Sequence, residues 1–408
     1  MKILHTSDWH LGKRLEQFSR LEEQKEVLAE ICEIADQEQV DAIVIAGDLF
    51  DAFNPPIEAI ELLYKTLKKL ANNGKRAVIA IAGNHDSPDR IEAPEPLARE
   101  CGIIFCGYPN SSIKLFALET GLAITKSDHG FFEINLPGKN IPLRVLCTPY
   151  ANEARLKTYL GLDDSEAEMR KLLQDQWQTL AANYCDKNGI NLLVTHLFIV
   201  NKENPELEEP EDEKPILYVG GSQAIYTENI PPQIQYTATG HLHRKQIFED
   251  SNQAIAYSGS PLSFSMKETN QKKFVLITDI EPGQKAKIKE IELTKGKKLV
   301  RVKFEDVEAA ISWLNQNQET LVELTMITDT FLMADERKQI LNAHSGIVAI
   351  IPEIKNIQEK EETKKEINLD KSINDLFQDY FRYSKNGQEP NQEILNLFCE
   401  VLAVEPNQ

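Results

Sequence analysis

Five short polar motifs, each at the end of an apolar segment, constrain this sequence more than any other feature. The apolar segments span residues 2–8, 41–48, 76–84, 190–196 and 236–241, and their composition predicts buried strands. They end in the motifs DWH (8–10), GD (47–48), GNHD (83–86), TH (195–196) and GHLH (240–243), which hold five of the eight histidines. Because buried polar groups without partners are costly, these side chains must pair with one another or bind a ligand.

The first hundred residues alternate between strand and helix patterns. Helices are predicted at 21–38, where apolar residues recur at helical spacing, and after Pro56. The resulting βαβαβ order is typical of an α/β sheet covered by helices. Ligands of open α/β sheets bind beyond the carboxyl ends of the strands. The sequence therefore predicts one shared site built from five dispersed segments.

The later part of the chain is expected to form separate modules. The segment 297–352 has a β-α-β-α-β pattern without a cluster of metal-binding or catalytic residue types, which predicts a small second domain. The acidic, proline-rich stretch 201–215 predicts an exposed, mobile insertion. A charged linker at 355–366 leads to amphipathic helices at 369–385 and 391–404. Their apolar stripes fit a hairpin packed on its own body or a module that docks on a partner, and the charged linker favours docking.

Composition narrows the functional class. No apolar stretch approaches the roughly 20 residues of a membrane helix, and the first ten residues lack the apolar core of a secretory signal, so a cytoplasmic location is expected. The six cysteines form no C-x-x-C pair and are expected to be reduced thiols. The net charge of −19 argues against a free-standing, high-affinity nucleic-acid binder, because that affinity rests on Lys and Arg.

The donor types in the motifs predict a catalytic metal site. Asp, Asn and His without Cys suit Mn²⁺, Fe²⁺, Mg²⁺ or Zn²⁺ in an open site. Seven or eight donors are too many for one ion. They suffice for two ions that share a bridging carboxylate and lie about 3.5–4 Å apart, as in two-metal phosphoester cleavage. Each motif alone is weak, since D-x-H, H-x-H and G-D occur in ordinary strands and turns, but the ordered set is specific.

The same residues resemble those of the calcineurin-like metallophosphoesterases. The resemblance runs through LHTSDWHLGK (4–13), GDLFDAFNPP (47–56), GNHDSPDR (83–90), THLF (195–198), GHLHRKQ (240–246) and YSGSPLSFS (257–265). Within the family these motifs are most similar to those of bacterial double-strand-break nuclease subunits. The resemblance implies an α/β fold, a metallophosphoesterase β-sandwich flanked by helices at 1–293, with a small α/β capping domain at 297–352 and C-terminal helices at 367–408.

The resemblance also implies the ligands of two divalent ions, Mn²⁺ in the first place and Mg²⁺ as the alternative. The expected ligands of one ion are Asp8, His10, Asp48 and His243. The expected ligands of the other are Asp48, Asn84, His196 and His241, so that Asp48 bridges the two.

His85 belongs to neither set, because adjacent side chains leaving a strand point to opposite sides. We expect it to donate a proton to the leaving alkoxide or to bind a phosphate oxygen. Asp51 is expected either to accept a hydrogen bond from the His85 ring and keep it protonated or to cap the turn, and Asp86 to support the turn.

Three further histidines, His5, His129 and His344, lie outside the motifs and are interpreted as structural. The cations that flank the ligands are expected to offer local positive potential or to be ordinary surface charges: Lys13, Arg14, Arg90, Arg244 and Lys245.

The resemblance implies a metal-dependent DNA nuclease acting in replication, recombination and break repair. Its expected activities are an ATP-gated double-strand 3′–5′ exonuclease and a single-strand or hairpin endonuclease. Two bound ions would supply the attacking hydroxide and neutralise the charge that develops on the phosphodiester. A coiled-coil ATPase is expected to dock on the C-terminal helices, around a homodimer in a heterotetramer, and to provide affinity for DNA ends and hairpins.

Two alternatives remain. The core motifs also permit a metallophosphatase acting on small phosphoesters or phosphoproteins, although the second domain and the tail count against it. A non-catalytic scaffold would be indicated by a missing ligand position, and none is missing.

Overall fold

The structure is a computed structural model that describes residues 1–157, 165–202, 224–249, 253–328, 332–354 and 373–384, and singly 390, 395 and 398. The chain divides into two compact units, Met1–Glu353 and Ile354–Gln408. The acidic insertion beyond Lys202 and the charged linker lie outside the described residues, as does the predicted last helix apart from two positions.

The five apolar segments that end in motifs each contain a strand, and further strands occur elsewhere in the chain. In chain order they are β1 (Lys2–Thr6), β2 (Arg14–Leu15), β3 (Phe18–Ser19), β4 (Ala42–Ile45), β5 (Ala77–Ile81), β6 (Ile103–Cys106), β7 (Phe116–Ala117), β8 (Ala123–Asp128), β9 (Phe131–Asn135), β10 (Leu143–Thr148), β11 (Ile190–Thr195), β12 (Ile199–Val200), β13 (Ile225–Tyr226), β14 (Tyr236–Thr239), β15 (Gln246–Glu249), β16 (Ala254–Tyr257), β17 (Lys273–Asp279), β18 (Lys287–Leu293), β19 (Lys298–Phe304), β20 (Thr320–Thr328) and β21 (Ile347–Ile354).

The helices alternate with the strands early in the chain and are sparser later. They are α1 (Leu21–Gln37), α2 (Ile57–Ala71), α3 (Pro88–Glu92), α4 (Glu95–Ala98), α5 (Glu153–Leu156), α6 (Ser165–Tyr184), α7 (Val307–Gln316), α8 (Ala334–Ala343) and α9 (Ile373–Ser384), with short 3-10 helices at Arg99–Cys101, Thr227–Asn229 and Met266–Glu268. Within the described parts of the chain, no helix is long and apolar enough to cross a membrane.

Two sheets face each other and form a sandwich. The first has the order β18-β17-β1-β4-β5-β6, and the second has the order β15-β16-β14-β11-β10-β9-β8-β7. Strands β1, β4, β5 and β6 are parallel, as are β10, β11, β14 and β16. Each sheet therefore contains a parallel block, and the carboxyl ends of such blocks are where loops carry function.

Three apolar clusters hold the layers together. The cluster between the sheets joins Val44 and Ile79 of the first sheet to Val145 and Val194 of the second. Helices α1 and α2 cover the outer face of the first sheet through their apolar stripes, and α6 covers the second with the fully buried Trp177. The result is a β-sandwich flanked by helices, so the predicted fold class is confirmed.

The segment Lys298–Ile354 forms the predicted β-α-β-α-β pattern. Its sheet has the order β19-β20-β21, and α7 and α8 pack on it around a separate apolar cluster that contains Leu314, Leu324 and Ile340. The Asp306 carboxylate caps α7 by accepting a hydrogen bond from the amide of Ala309 at 2.7 Å.

Candidate metal centre at the strand ends

The strands end earlier than the sequence predicts, and the motif residues lie in the loops beyond them. Strand β1 ends at Thr6 and β4 at Ile45, whereas the apolar segments predict strands that include Asp8 and Asp48. Both residues have positive φ angles, 53° and 48°, which lie outside the extended region of a strand. The predicted strand bounds are therefore too long by two or three residues.

All seven predicted ligands converge at one end of the sandwich. Asp8 and His10 follow β1, Asp48 follows β4, Asn84 follows β5, His196 follows β11, and His241 and His243 follow β14. Six of them are buried, and Asn84 is half-buried. Loops from five parallel strands of two sheets thus supply one cluster, named here the strand-end cluster.

Three residues form the first donor group. Asp8, His10 and His243 each offer a ligand atom within 4.8 Å of the other two. The Nε2 atoms of His10 and His243 face each other at 3.0 Å, and the Oδ2 atom of Asp48 lies 3.5 Å from Nε2 of His10. Asp8 is held in place because its Oδ1 accepts a hydrogen bond from the amide of His241 at 2.9 Å.

The second donor group surrounds the amide oxygen of Asn84. Its Oδ1 lies 2.9 Å from Nε2 of His196 and 3.2 Å from Nδ1 of His241. The Oδ2 atom of Asp48 is 3.4 Å from Nε2 of His196. One oxygen of Asp48 is therefore close to an imidazole of each group, which is the position that a bridging carboxylate would take.

The backbone at the cluster is strained. Besides the two aspartates, His10 and His241 have positive φ angles of 44° and 99°. Such conformations cost free energy for residues other than glycine and are found mainly at functional sites. Two glycines allow the close approach. A Cβ on Gly47 would lie 2.2 Å from the His196 ring, and one on Gly83 would lie 2.1 Å from the Asp48 carboxylate.

The histidine tautomers leave ring nitrogens available to a ligand. Nδ1 of His196 lies 2.8 Å from the carbonyl oxygen of Ala46, which can only accept, so Nδ1 carries a proton and Nε2, which faces Asn84 and Asp48, is the nitrogen that can coordinate a cation. The buried Nδ1 of His10 has no hydrogen-bond partner among the described residues, and the nearest carboxylate oxygen, on Asp51, lies 3.5 Å away.

His85 and Asp51 are in contact, but through the backbone. Nδ1 of His85 donates to the carbonyl oxygen of Asp51 at 3.0 Å, while the Asp51 carboxylate binds Lys13 at 2.7 Å. The ring of His85 packs edge to face on that of His10, with centroids 4.9 Å apart. The predicted contact therefore exists, but it fixes the tautomer of His85 with a neutral acceptor and not with a charge.

Burial and the Asp48 charge set the pKa values in the cluster. Burial lowers the pKa of His10 to about 4. Burial also acts to lower the pKa of His196, but the neighbouring Asp48 carboxylate outweighs it and raises that pKa to about 9. Burial and the Asp48 charge together raise the pKa of Asp86 to about 6. The raised pKa of His196 favours a protonated ring. A cation that binds to His196 would therefore displace a proton.

The cluster fits divalent cations. Two imidazole Nε2 atoms at 3.0 Å can share only one proton, while a cation between them satisfies both. Carboxylates, imidazoles and an amide oxygen are the donors that Mn²⁺, Mg²⁺ and Zn²⁺ accept in catalytic sites. The described residues hold these donors within reach of one another, so the residues present and the implied ions agree.

Several supporting residues were not found from the sequence. Gln24 is buried on α1 and donates to the carbonyl oxygen of His10 at 2.7 Å. Glu268 and Lys273 form a buried ion pair beside His243, and Lys273 also donates to the His243 carbonyl oxygen at 2.9 Å. Burial opposes the ionisation of Glu268, yet His243 and Lys273 lower its pKa to about 2. All three have polar neighbours in the sequence, so no local pattern distinguishes them from surface residues.

The remaining predicted residues lie around the cluster or away from it. The Asp86 carboxylate accepts hydrogen bonds from the amides of Leu49, Phe50 and Gly83, each at 2.9 Å, and so ties two motif loops together. His5, His129 and His344 each contact a protein oxygen outside the cluster.

The flanking cations are mostly engaged. Arg14 donates to the carbonyl oxygen of Gln17, and Arg90 to the side-chain oxygen of Asn54. Lys245 pairs with Glu290, whereas the side chain of Arg244 is exposed.

Comparison with known proteins finds a family model and relatives that this chain resembles. The calcineurin-like phosphoesterase family model matches residues 1–245. The SbcD subunit of nuclease SbcCD from Bacillus subtilis is 34% identical over 411 residues, which cover 98% of this chain and 97% of the relative. The SbcD subunit from Escherichia coli K12 is 26% identical, and the match covers 98% of both chains. The predicted resemblance is thereby confirmed, and the family match spans every motif from DWH to GHLH.

Proposed function

The chain belongs to the calcineurin-like phosphoesterase family, and on that premise we propose that it is the metal-dependent DNA nuclease subunit of an SbcCD-type complex. The relatives that match its whole length are named as the SbcD component of the nuclease SbcCD, which supports a nuclease subunit with an SbcC-type partner. The observation that carries the proposal is the position of Asp48 Oδ2, within 3.5 Å of an imidazole in each of two donor groups.

Two divalent ions, Mn²⁺ or Mg²⁺, would be held by this chain. The first would bind Asp8, His10, Asp48 and His243, and the second would bind Asp48, Asn84, His196 and His241. When bound, such ions lower the pKa of water and neutralise charge on a phosphoryl group. The chain itself contributes the fixed positions of the donors, which the strained loops and buried supports maintain.

His85 is the proposed proton donor to the leaving oxygen. Its Nδ1–H is committed to the carbonyl oxygen of Asp51, so Nε2 is the nitrogen that exchanges protons. The ring is half-buried beside the first donor group, where a scissile phosphate would lie. A general acid in that position typically contributes about 10²–10⁴-fold to the rate. Asp51 acts as a positioning residue through its backbone, and its carboxylate keeps Lys13 near the site.

The substrate is proposed to be duplex ends and hairpins, cleaved by 3′–5′ exonuclease and single-strand or hairpin endonuclease activities. A DNA substrate fits the cytoplasmic location expected from the sequence. The net charge of −19 makes DNA affinity weak for the chain alone, so an ATPase partner would have to supply cations and gate access.

We propose a capping role for residues 297–352 and a docking role for the C-terminal helices. We assign the capping domain to 297–352, which has its own apolar core and contacts the hairpin after the first motif, where Gln17 donates to the carbonyl oxygen of Ile347 at 3.1 Å. In the unit Ile354–Gln408, Phe377 of α9 stacks on Phe398 with centroids 3.8 Å apart, and Tyr380 is 67% exposed. The apolar faces of these amphipathic C-terminal helices are the proposed docking surface for the SbcC-type ATPase in a heterotetramer.

The experiment is Mn²⁺-dependent digestion of end-labelled duplex DNA, hairpin DNA and an aryl phosphate, with and without the SbcC-type partner and ATP. We expect cleavage of both DNAs, stimulated by partner and ATP, and little turnover of the aryl phosphate. Hydrolysis of the aryl phosphate with no DNA cleavage in any arm would support the metallophosphatase alternative. If a chain truncated at residue 366 still co-purifies with the partner at full stoichiometry, the proposed docking role is wrong.

A further inference from the structure

The loop Gly83–Asp86 carries two neighbouring residues with different proposed roles, Asn84 and His85, and its backbone must hold both. Regular pairing ends just before it, where the amide of Ala82 donates to the carbonyl oxygen of Cys106 at 2.9 Å. The Asp86 carboxylate anchors the loop from one side by accepting three amides. The carbonyl oxygens of the loop need donors of their own, because buried carbonyls without partners are costly.

Arg155 supplies those donors from a distant part of the chain. Its Nη1 donates to the carbonyl oxygen of Gly83 at 2.8 Å, and its Nη2 donates to those of Asp86 at 2.8 Å and Asn84 at 3.4 Å. One guanidinium thus contacts the carbonyls of three of the four loop residues. No ion pair joins Arg155 to a carboxylate in the part of the chain that the structure describes. Among the described residues, the hydrogen bonds of its guanidinium all go to this loop.

The guanidinium is itself held rigidly. The residue is only 8% exposed, and its guanidinium carbon lies 5.0 Å from the centroid of the Tyr150 ring. The Asn152 side chain caps the short helix α5 by accepting a hydrogen bond from the amide of Arg155 at 2.8 Å. The backbone and the guanidinium of Arg155 are therefore both held in place, unlike those of an arginine on the open surface.

We propose that Arg155 is a positioning residue that orients Asn84 and His85 for the reaction. It is not in contact with the proposed ligand atoms. It acts through the loop carbonyls, which set where the Asn84 Oδ1 atom meets His196 and His241, at 2.9 and 3.2 Å. Lysine cannot replace it, because a single ammonium cannot offer the planar fork that reaches several carbonyls at once. The inference rests on the proposed function.

Arg144 provides a matched control. It is also a buried arginine, 7% exposed, and it forms ion pairs with Glu133 at 3.0 Å and Asp186 at 2.6 Å on strand β10 and beyond, away from the cluster. Replacing it should lower the free energy of unfolding, as replacing Arg155 should, because each change removes a buried, hydrogen-bonded guanidinium. A difference between the two variants at the metal centre then reports positioning and not stability.

The test counts Mn²⁺ bound to the purified full chain by titration calorimetry and by the electron paramagnetic resonance of coupled Mn²⁺ pairs, without DNA. Arg155→Lys should weaken one of the two ions by roughly 10–100-fold, the usual effect of removing an outer support, and leave the other unchanged. Arg144→Lys should bind both ions with parental affinity. Combining Arg155→Lys with Asn84→Ala should weaken binding no further than Asn84→Ala alone, because both act on one ligand.

Parental affinity for both ions in Arg155→Lys, with a melting temperature lowered as in Arg144→Lys, would overturn the proposal. If Arg155→Lys does not fold, Tyr150→Leu removes the ring that supports the guanidinium, and the same selective loss of one ion is expected. A parental chain that binds two ions but cleaves no DNA would refute the proposed function alone, since the ion count needs no substrate.

Discussion

Strand β1 and the loop that follows it contribute to two regions of buried polar residues, which differ in charge and in backbone conformation. The first is the pair His5 and Tyr236 between the sheets, named here the core pair. The second is the strand-end cluster, which begins three residues later at Asp8. His5 and Asp8 are both 0% exposed. Burial alone therefore does not separate a structural histidine from a functional one.

The regions differ in charge and in backbone conformation. In the core pair, Nδ1 of His5 meets the hydroxyl of Tyr236 at 2.8 Å, and neither residue has a positive φ angle. In the cluster, two carboxylates face four imidazoles, and four of its seven residues have positive φ angles. A buried polar residue indicates function when it belongs to a set of mutually unsatisfied donors held on a strained backbone.

The largest expected effect removes the centre of the cluster. Asp48→Ala should lower DNA cleavage by at least about 10³-fold, as expected when a main source of transition-state charge stabilisation is lost. It should also remove most of the bound Mn²⁺, because Asp48 lies close to both donor groups. Metal analysis and end-labelled DNA digestion measure the two effects. Chelation of the parental chain should reproduce them while far-ultraviolet circular dichroism stays unchanged, and full cleavage by Asp48→Ala would contradict the bridging role.

The next effect separates catalysis from metal binding inside the cluster. His85→Gln should lower kcat by about 10²-fold or more, because it removes the proposed proton donor. The amount of bound Mn²⁺ should not change, since His85 supplies no proposed ligand atom. Single-turnover cleavage and metal analysis on the same preparation test both statements. A variant with two ions and parental kcat would show that the leaving oxygen needs no proton from this side chain.

The sequence was sufficient to separate the core pair from the strand-end cluster. It was not sufficient to identify the residues that support the cluster. Periodicity placed β1, β4, β5, β11 and β14, and the polar motifs at their ends converge as expected. His5 was separated from them because it lies inside a strand. Arg155 could not be predicted, because its partners are backbone carbonyl oxygens about 70 residues away in the sequence. Every residue type has such a carbonyl group, so no sequence pattern identifies them. Lys273 could not be predicted for a similar reason, since its acceptor on His243 is also a carbonyl oxygen.

The bounds of the strands were also beyond sequence patterns. The segments predicted as strands extend to Asp8 and Asp48, but the strands end two or three residues earlier, and both aspartates have positive φ angles. Aspartate tolerates that region better than most residues, yet it also occurs within ordinary strand ends. The strain is set by the tertiary contacts of the cluster, which no local pattern records.

A smaller effect tests the core pair. Tyr236→Phe removes the hydroxyl that partners Nδ1 of His5 and should lower the free energy of unfolding by roughly 1–3 kcal/mol, the cost of leaving a buried polar atom unpaired. Cleavage per folded molecule should not change, because the pair contacts none of the proposed ligands. Urea unfolding and DNA digestion below the unfolding transition give the two values. A large loss of activity in this variant would erase the distinction between the two regions.

The smallest effect is a pH dependence of stability that comes from His5. Burial lowers the pKa of His5 from 6.5 to about 3, so the unfolded chain gains a proton below pH 6.5 that the folded chain does not accept until about pH 3. Stability is therefore retained above the unfolded pKa and lost as the pH falls through this window. The loss from His5 should be about 1 kcal/mol between about pH 7 and about pH 5.5. Urea unfolding of the parental chain and His5→Gln at both pH values measures it, because the two proteins differ only at residue 5. An equal loss in the two proteins would mean that His5 is protonated within the folded core, and the core pair would then share the charged character of the cluster.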